Sequence, residues 1–200
     1  AAFGADVAAV VAAENLDRIV LIGHSMGGPV ALEAARQLPG KAALVVGVDT
    51  MHDVEMRWPE EEFKRIRDGM ARDFPGATGT FVRTMFQGDA DPALVASVIA
   101  DMAAAPPRVA ISALEGTKDF DGARAMELAG VPVVCINAAA WPTHVEVNRR
   151  HAPAFDAVVN LFTAAVVGVM GPLTLRRLSI DPAVSAGVIL TTFTDCIGFA

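Results

Sequence analysis

Charge is scarce in this chain, and positive charge is the scarcer kind. Only 20% of the 200 residues are charged, with 16 Lys and Arg against 23 Asp and Glu for a net charge of −7. No dense basic run occurs, and nucleic-acid phosphates demand a positive face, so no nucleic-acid partner is expected. Cysteine is nearly absent. Cys135 and Cys196 stand 61 positions apart in apolar runs and form no C-x-x-C pair, so neither a disulfide framework nor a metal site is indicated. No initiator Met and no charged leader precede Ala1-Ala2-Phe3; no signal peptide is expected, and the chain reads as a piece of something longer. Internal repeats and low-complexity linkers are lacking too.

What is plentiful is apolar. The hydrophobic fraction is 53% and the mean hydropathy +0.43, which excludes intrinsic disorder. Alanine supplies much of that figure without adding much core volume. The remainder is unevenly spread. Residues 1–155 carry 34 charged side chains, whereas residues 156–200 carry five: Asp156, Arg176, Arg177, Asp181 and Asp195. Ala157 to Leu175 is a run of 19 uncharged residues, within the roughly 17–25 that span a bilayer as a helix. A second run, Ala183–Thr194, follows the Asp181-Pro182 turn.

The first 155 residues alternate strand and helix patterns. A helix is expected over Ala5–Glu14, with Val7, Val10 and Val11 at helical spacing. Arg18–Gly23, Ala42–Val48 and Val131–Ile136 read as buried parallel strands. Gly27–Leu38 reads as a helix closed by Pro39-Gly40, and another starts at Val145. Between them, 55–129 reads as a helical insertion, with Phe63, Ile66 and Met70 on one face of a charged helix and further helices near 91–104 and 121–129. Strand–helix–strand units of this kind imply a parallel sheet with right-handed crossovers.

Directly after the first strand stands Gly23-His24-Ser25-Met26-Gly27-Gly28, a G-x-S-x-G motif in a strand–turn–helix context. Such a turn strains the serine backbone and crowds the positions two residues either side, which Gly23 and Gly27 satisfy. It lifts Ser25 Oγ above the sheet's carboxyl end and points the Met26 N–H at a developing oxyanion, where the helix N-terminus also favours negative charge. A glycine-rich turn with an incidental serine is the plain alternative. A phosphate loop is not, because no Lys follows the glycines.

On this motif and its flanking elements, residues 1–159 resemble the α/β-hydrolase superfamily. The resemblance implies an α/β fold: a partial α/β-hydrolase parallel sheet with a helical cap insertion (about 55–129). It also implies a serine hydrolase cleaving a small-molecule ester or other acyl bond through an acyl-enzyme, in a cytoplasmic setting and without a cofactor. Ser25 would be the nucleophile, Met26 the oxyanion donor, and Gly23, Gly27 and Gly28 the elbow; His24 would flank the serine. The strands and oxyanion loop that precede the elbow in that family would lie upstream of Ala1. The family's acid usually follows the strand matching Val131–Ile136, where this chain has Asn137-Ala138-Ala139-Ala140-Trp141 and no carboxylate. Asp49, ending the preceding strand, occupies the alternative acid position, with turn capping as its plain role; Asp53 lies one turn on. The family's histidine follows a last strand beginning near Ala157, and no histidine follows His151. His144 and His151 come too early and read as helix-surface residues, and His52 is not assigned as the base. The expectation is therefore an enzyme inactive as written. In the insertion, Trp58, Phe63, Met70, Phe81 and Phe86 suit an apolar acyl or aromatic group or ordinary packing.

Residues 160–200 resemble something else. Gly171-Pro172-Leu173-Thr174-Leu175-Arg176-Arg177-Leu178, Ile180-Asp181-Pro182-Ala183, Thr191-Thr192-Phe193-Thr194-Asp195 and Gly198-Phe199 are similar to the MgtE-type magnesium transporters. That implies an apolar helical hairpin resembling transmembrane helices, membrane association through 157–200, and an intramembrane acid at Asp195 facing hydrated Mg²⁺. A buried hydrolase helix pair with a capping Asp is the alternative. Three readings thus stand: a hydrolase, a transporter segment, and a non-catalytic hydrolase-fold binding module. The change from one resemblance to the other falls near Asn160, and a fusion or assembly artefact is one explanation for it.

Overall fold

The computed structural model describes residues 2–86, 88–138 and 141–159. The expected apolar hairpin and Asp195 lie outside these residues. The described residues fall into two compact units, one up to Glu55 together with those from Asp121 on, and one within Met56–Phe120.

In the first unit, β1 (Ile19–His24), β2 (Ala42–Val48), β3 (Val133–Asn137) and β4 (Asp156–Val159) form a parallel sheet in the order β1-β2-β3-β4. The β-branched runs legible in the sequence become these strands, within two residues at each end. Four helices accompany them: α1 (Ala2–Ala13), α2 (Gly27–Gln37), α7 (Gly122–Ala129) and α8 (Val145–His151). Alpha1 packs on α2, α2 on α7 and on β1 and β2, and α7 on α8. A strand order that never reverses, joined by right-handed crossovers, puts the connecting helices on one face.

That face holds the core: Leu21, Val45, Val133 and Cys135 under Leu32, Ala35, Met126 and Phe155, all buried. Here the sequence expectation needs correction. The strands are expected to be buried, yet Val20 is 49% and Ile22 70% exposed, because nothing among the described residues covers that face of β1. Likewise in α1, Val11 is buried while Val10 faces out.

The second unit is helical: α3 (Glu60–Arg72), α4 (Phe74–Thr84), α5 (Pro92–Ala103) and α6 (Pro107–Lys118). Asp73 and Asp91 start α4 and α5 by accepting from the Gly76 and Ala93 N–H groups at 3.0 and 2.9 Å, satisfying otherwise orphaned donors. Phe63 is buried, with Trp58 edge-on at 6.4 Å. Lys118 Nζ lies 5.2 Å from the Phe63 ring centroid while pairing with Glu60 at 2.7 Å. Of the other aromatic residues singled out above, Phe81 is exposed. This unit ends at Phe120, and α7, which the sequence reading grouped with the insertion, packs on α2 in the sheet-bearing unit. Its Asp121 caps it by accepting from Arg124 N–H at 3.1 Å.

No single described helix is long and apolar enough to cross a membrane; α5 and α6 pass such a test only together, and they are bent by 89° at their break.

Candidate active site

The sheet's carboxyl end is where β1 and β2 release Ser25 and Asp49. Ser25 N–H donates to Val48 O at 3.0 Å, prolonging the β1–β2 ladder by one residue, and Asp49 N–H donates to Ile136 O at 3.0 Å. Immediately afterwards the backbone breaks. Ser25 takes φ +48° and Asp49 φ +46°, left-handed values that L residues adopt only where surroundings enforce them.

At Ser25 the enforcement is steric. A Cβ on Gly23 would run into the Gly27 carbonyl and reach 2.7 Å from Gly28 N, and a Cβ on Gly28 would lie 2.5 Å from both Thr50 Cγ2 and Oγ1. Gly27 differs from expectation: a Cβ there meets nothing within 4 Å. The tight approach is between the Gly23 position and the backbone of Gly27, so the side-chain-free requirement falls on Gly23 and Gly28. Ser25 and Met26 are exposed. Among the described residues Ser25 Oγ makes no hydrogen bond and the Met26 N–H has no acceptor; both sit at the N-terminus of α2.

Asp49 is held from several sides. His52 Nε2 lies 3.3 Å from its Oδ1 and the Ala138 N–H donates to the same oxygen at 3.3 Å. The His52 hydrogen bond chiefly holds the carboxyl below its ordinary range, aided by the Ala138 N–H, against the opposing effect of burial. The rest of the network fixes the His52 tautomer. Asn137 Nδ2 donates to Thr50 O at 3.1 Å and to Thr143 Oγ1 at 2.9 Å. The Thr143 hydroxyl is then free to donate to His52 Nδ1 at 3.3 Å, leaving His52 Nε2–H to donate to Asp49. Both His52 nitrogens are thus committed within this loop.

The other late histidines are committed as well. His144 Nδ1 lies 3.0 Å from Asp53 Oδ2. His151 lies between Glu55 at 2.8 Å and Glu127 at 2.9 Å. Both stand at the ends of α8, at the helix surface as expected, and each is paired with a carboxylate.

Sequence reasoning passed over two buried asparagines. Asn137 and Asn148 are both 0% exposed. The Asn137 side chain accepts from Thr50 N–H at 3.1 Å as well as donating to Thr50 O. Asn148 accepts from Val54 N–H at 3.0 Å and donates to Met51 O at 2.7 Å. Each carboxamide substitutes for a peptide group, and together they template the loop that carries Asp49. Cys135, under the same loop, is buried and its thiol is pushed up to about 12 by desolvation, which leaves it protonated and inert. Among the described residues no group of three His, Cys, Asp or Glu side chains could hold a metal.

A parallel sheet with a strained strand-to-helix serine at its carboxyl end defines an α/β-hydrolase-type fold. Comparison with known proteins agrees. The family model for the alpha/beta hydrolase fold matches residues 1–87, and that for divalent cation transporters matches residues 123–200. A search of curated protein sequences finds no match. Among solved structures, the chain is similar to a hydrolase from Oleispira antarctica (TM-score 0.67, 16% identity, covering 88% of this chain and 70% of that one). It is also similar to an esterase from Exiguobacterium antarcticum (TM-score 0.68, 16% identity, 78% and 63%) and a bromoperoxidase from Bacillus anthracis (TM-score 0.65, 16% identity, 78% and 63%). The chain therefore spans about two thirds of these proteins' length, and at such identities the likeness shows the fold. The transporter match starts well before residue 160, where the sequence reading placed that segment; residues 123–159 hold most of α7 and all of β3, α8 and β4, and so belong to the sheet-bearing unit.

Proposed function

We propose that this chain carries the nucleophile side of a serine hydrolase acting on a small-molecule ester or other acyl bond. Ser25 would attack the acyl carbon, the Met26 N–H would receive the oxyanion, and Asp49 would be the acid. One observation carries the reading: Ser25 is forced to φ +48° over Gly23 and Gly28, a backbone state whose use is to expose a nucleophile at a helix N-terminus. Beyond His24, which flanks the serine, no described histidine is free to act as base: His52, His144 and His151 are engaged with Asp49, Asp53 and Glu55–Glu127. General-base catalysis is worth about 10²–10⁴-fold, so turnover should sit near background. A cytoplasmic setting belongs to the same proposal. An alkyl fluorophosphonate is the test: slow labelling is expected in the parent chain and none in Ser25→Ala, while equal labelling of both, or none of either, removes Ser25 as nucleophile. Retained affinity for an ester without labelling would favour the non-catalytic binding module.

The divalent cation transporter match motivates a second reading, for residues 160–200 only: a membrane-associated segment with Asp195 facing a Mg²⁺ substrate. A chain that stays monodisperse without detergent and fails to float with liposomes would remove it.

A further inference from the structure

His151, at the end of α8, presents both ring nitrogens to carboxylates: Nε2 lies 2.8 Å from Glu55 Oε1 and Nδ1 lies 2.9 Å from Glu127 Oε1. A neutral imidazole owns one N–H and can satisfy only one of them; the imidazolium alone donates to both. The two carboxylates sit at informative places in the chain. Glu55 is the last residue before the helical unit starts at Met56, and Glu127 lies on α7, just after the chain returns at Asp121.

We propose that His151 is a protonation-operated clamp that ties together the chain segments leaving and re-entering the sheet-bearing unit on either side of the helical unit. The surrounding charges decide which contact yields. Arg150 Nη2 reaches both Glu55 oxygens at 3.0 Å, and Arg124 Nη1 reaches Glu127 Oε2 at 3.0 Å. The remaining charges on α8 and β4 face one another, with Arg149 on Glu146 at 3.1 Å and on Asp156 at 3.6 Å. While His151 is charged, Glu55, Glu127, Arg150 and Arg124 form one network through it. When the proton leaves, a ring lone pair confronts a carboxylate and the network divides into two pairs. Glu55 stays on α8 through Arg150. The one remaining N–H stays with Glu55, the shorter contact, so Glu127 keeps only Arg124, a residue of its own helix, and α7 loses this tie to α8.

The sign follows from the same contacts. Hydrogen bonds to Glu55 and then Glu127 hold His151 above the usual histidine range, so the clamp is complete at lower pH and is lost as pH rises through that raised value. The test needs no catalytic activity and stands apart from the role of Ser25. In the full chain, the His151 ring resonance is titrated by NMR, and exchange protection of residues 122–129 is followed over the same pH range after correction for intrinsic exchange. The expected result is titration above an ordinary histidine, with a severalfold fall in α7 protection tracking it. Glu127→Gln should lower the titration point and loosen α7 even at low pH, and His151→Gln should make α7 protection independent of pH. Titration at the ordinary value, or α7 protection indifferent to His151 ionisation in the parent chain, overturns the proposal even if a variant fails to fold.

Discussion

The Asn137 carboxamide and the Thr50 backbone bind each other in both directions, at 3.1 Å each way. Thr50 in turn rests its side chain where a Cβ of Gly28 would stand. One residue therefore links the start of α2, beneath Ser25, to the end of β3 and to the loop that holds Asp49. The left-handed residues flanking it, Asp49 at φ +46° and Met51 at φ +53°, cost about 1–2 kcal/mol each as L residues, and the two buried asparagines over-determine that conformation.

Asn137→Ala should accordingly be among the most damaging single changes. It orphans the buried Thr50 N–H and C=O, each worth about 1–3 kcal/mol when left unsatisfied, and urea unfolding should report a loss of at least about 2 kcal/mol. Asn137→Asp should recover only part, since a carboxylate accepts from Thr50 N–H but donates to neither Thr50 O nor Thr143. Equal stability of both variants and the parent would show that the reciprocal pair does not hold the loop.

The adjacent glycines at the elbow should behave in opposite ways. Gly28→Ala brings a methyl to 2.5 Å from the Thr50 side chain, and overpacking of this kind costs about 1–3 kcal/mol. Gly27→Ala enters open space among the described residues, in the first turn of α2, and should be neutral or stabilising by up to about 1 kcal/mol through helix propensity. Thermal melts of the pair check this directly; a destabilised Gly27→Ala would restore the expectation that both flanks of the motif must lack side chains.

Acid should weaken the loop through Asp49. Its carboxyl is held below the ordinary range, first by His52, so the stability it confers is complete above the unfolded aspartate value and is lost as pH falls through the lowered one. Asp49→Asn should lower stability at neutral pH and flatten the acid limb. Urea midpoints between about pH 2 and 6 are the measurement, and parallel acid limbs in parent and variant would contradict it.

Much of this arrangement was legible in the residues. The β-branched runs at 18–23, 42–48 and 131–136 announce the parallel sheet, and G-x-S-x-G places Ser25 at its carboxyl end. What escaped was long-range. Asn137 stands out in the sequence only where an acid is missing, and Asn148 sits in the charged string VEVNRRH with no local signal; their backbone partners lie 87 and 94 or more positions away. His151 likewise meets carboxylates 24 and 96 positions off. Alpha4 and α6 were passed over because Pro75, Gly76 and Gly79 interrupt one and Pro106-Pro107 opens the other, although proline fits a first helical turn. Exposure of Val20 and Ile22 was hidden too, since a β-branched run does not tell whether one face or two will be covered.

If Ser25 is the proposed nucleophile and lacks only a base, external imidazole should supply one. The chain is incubated with p-nitrophenyl acetate, with and without imidazole, and peptides are mapped by mass. The expected result is acetylation at Ser25 that imidazole accelerates and that vanishes in Ser25→Ala while the fold is retained. Acetyl groups spread over surface side chains, unchanged in Ser25→Ala and with Ser25 unmodified, would contradict it.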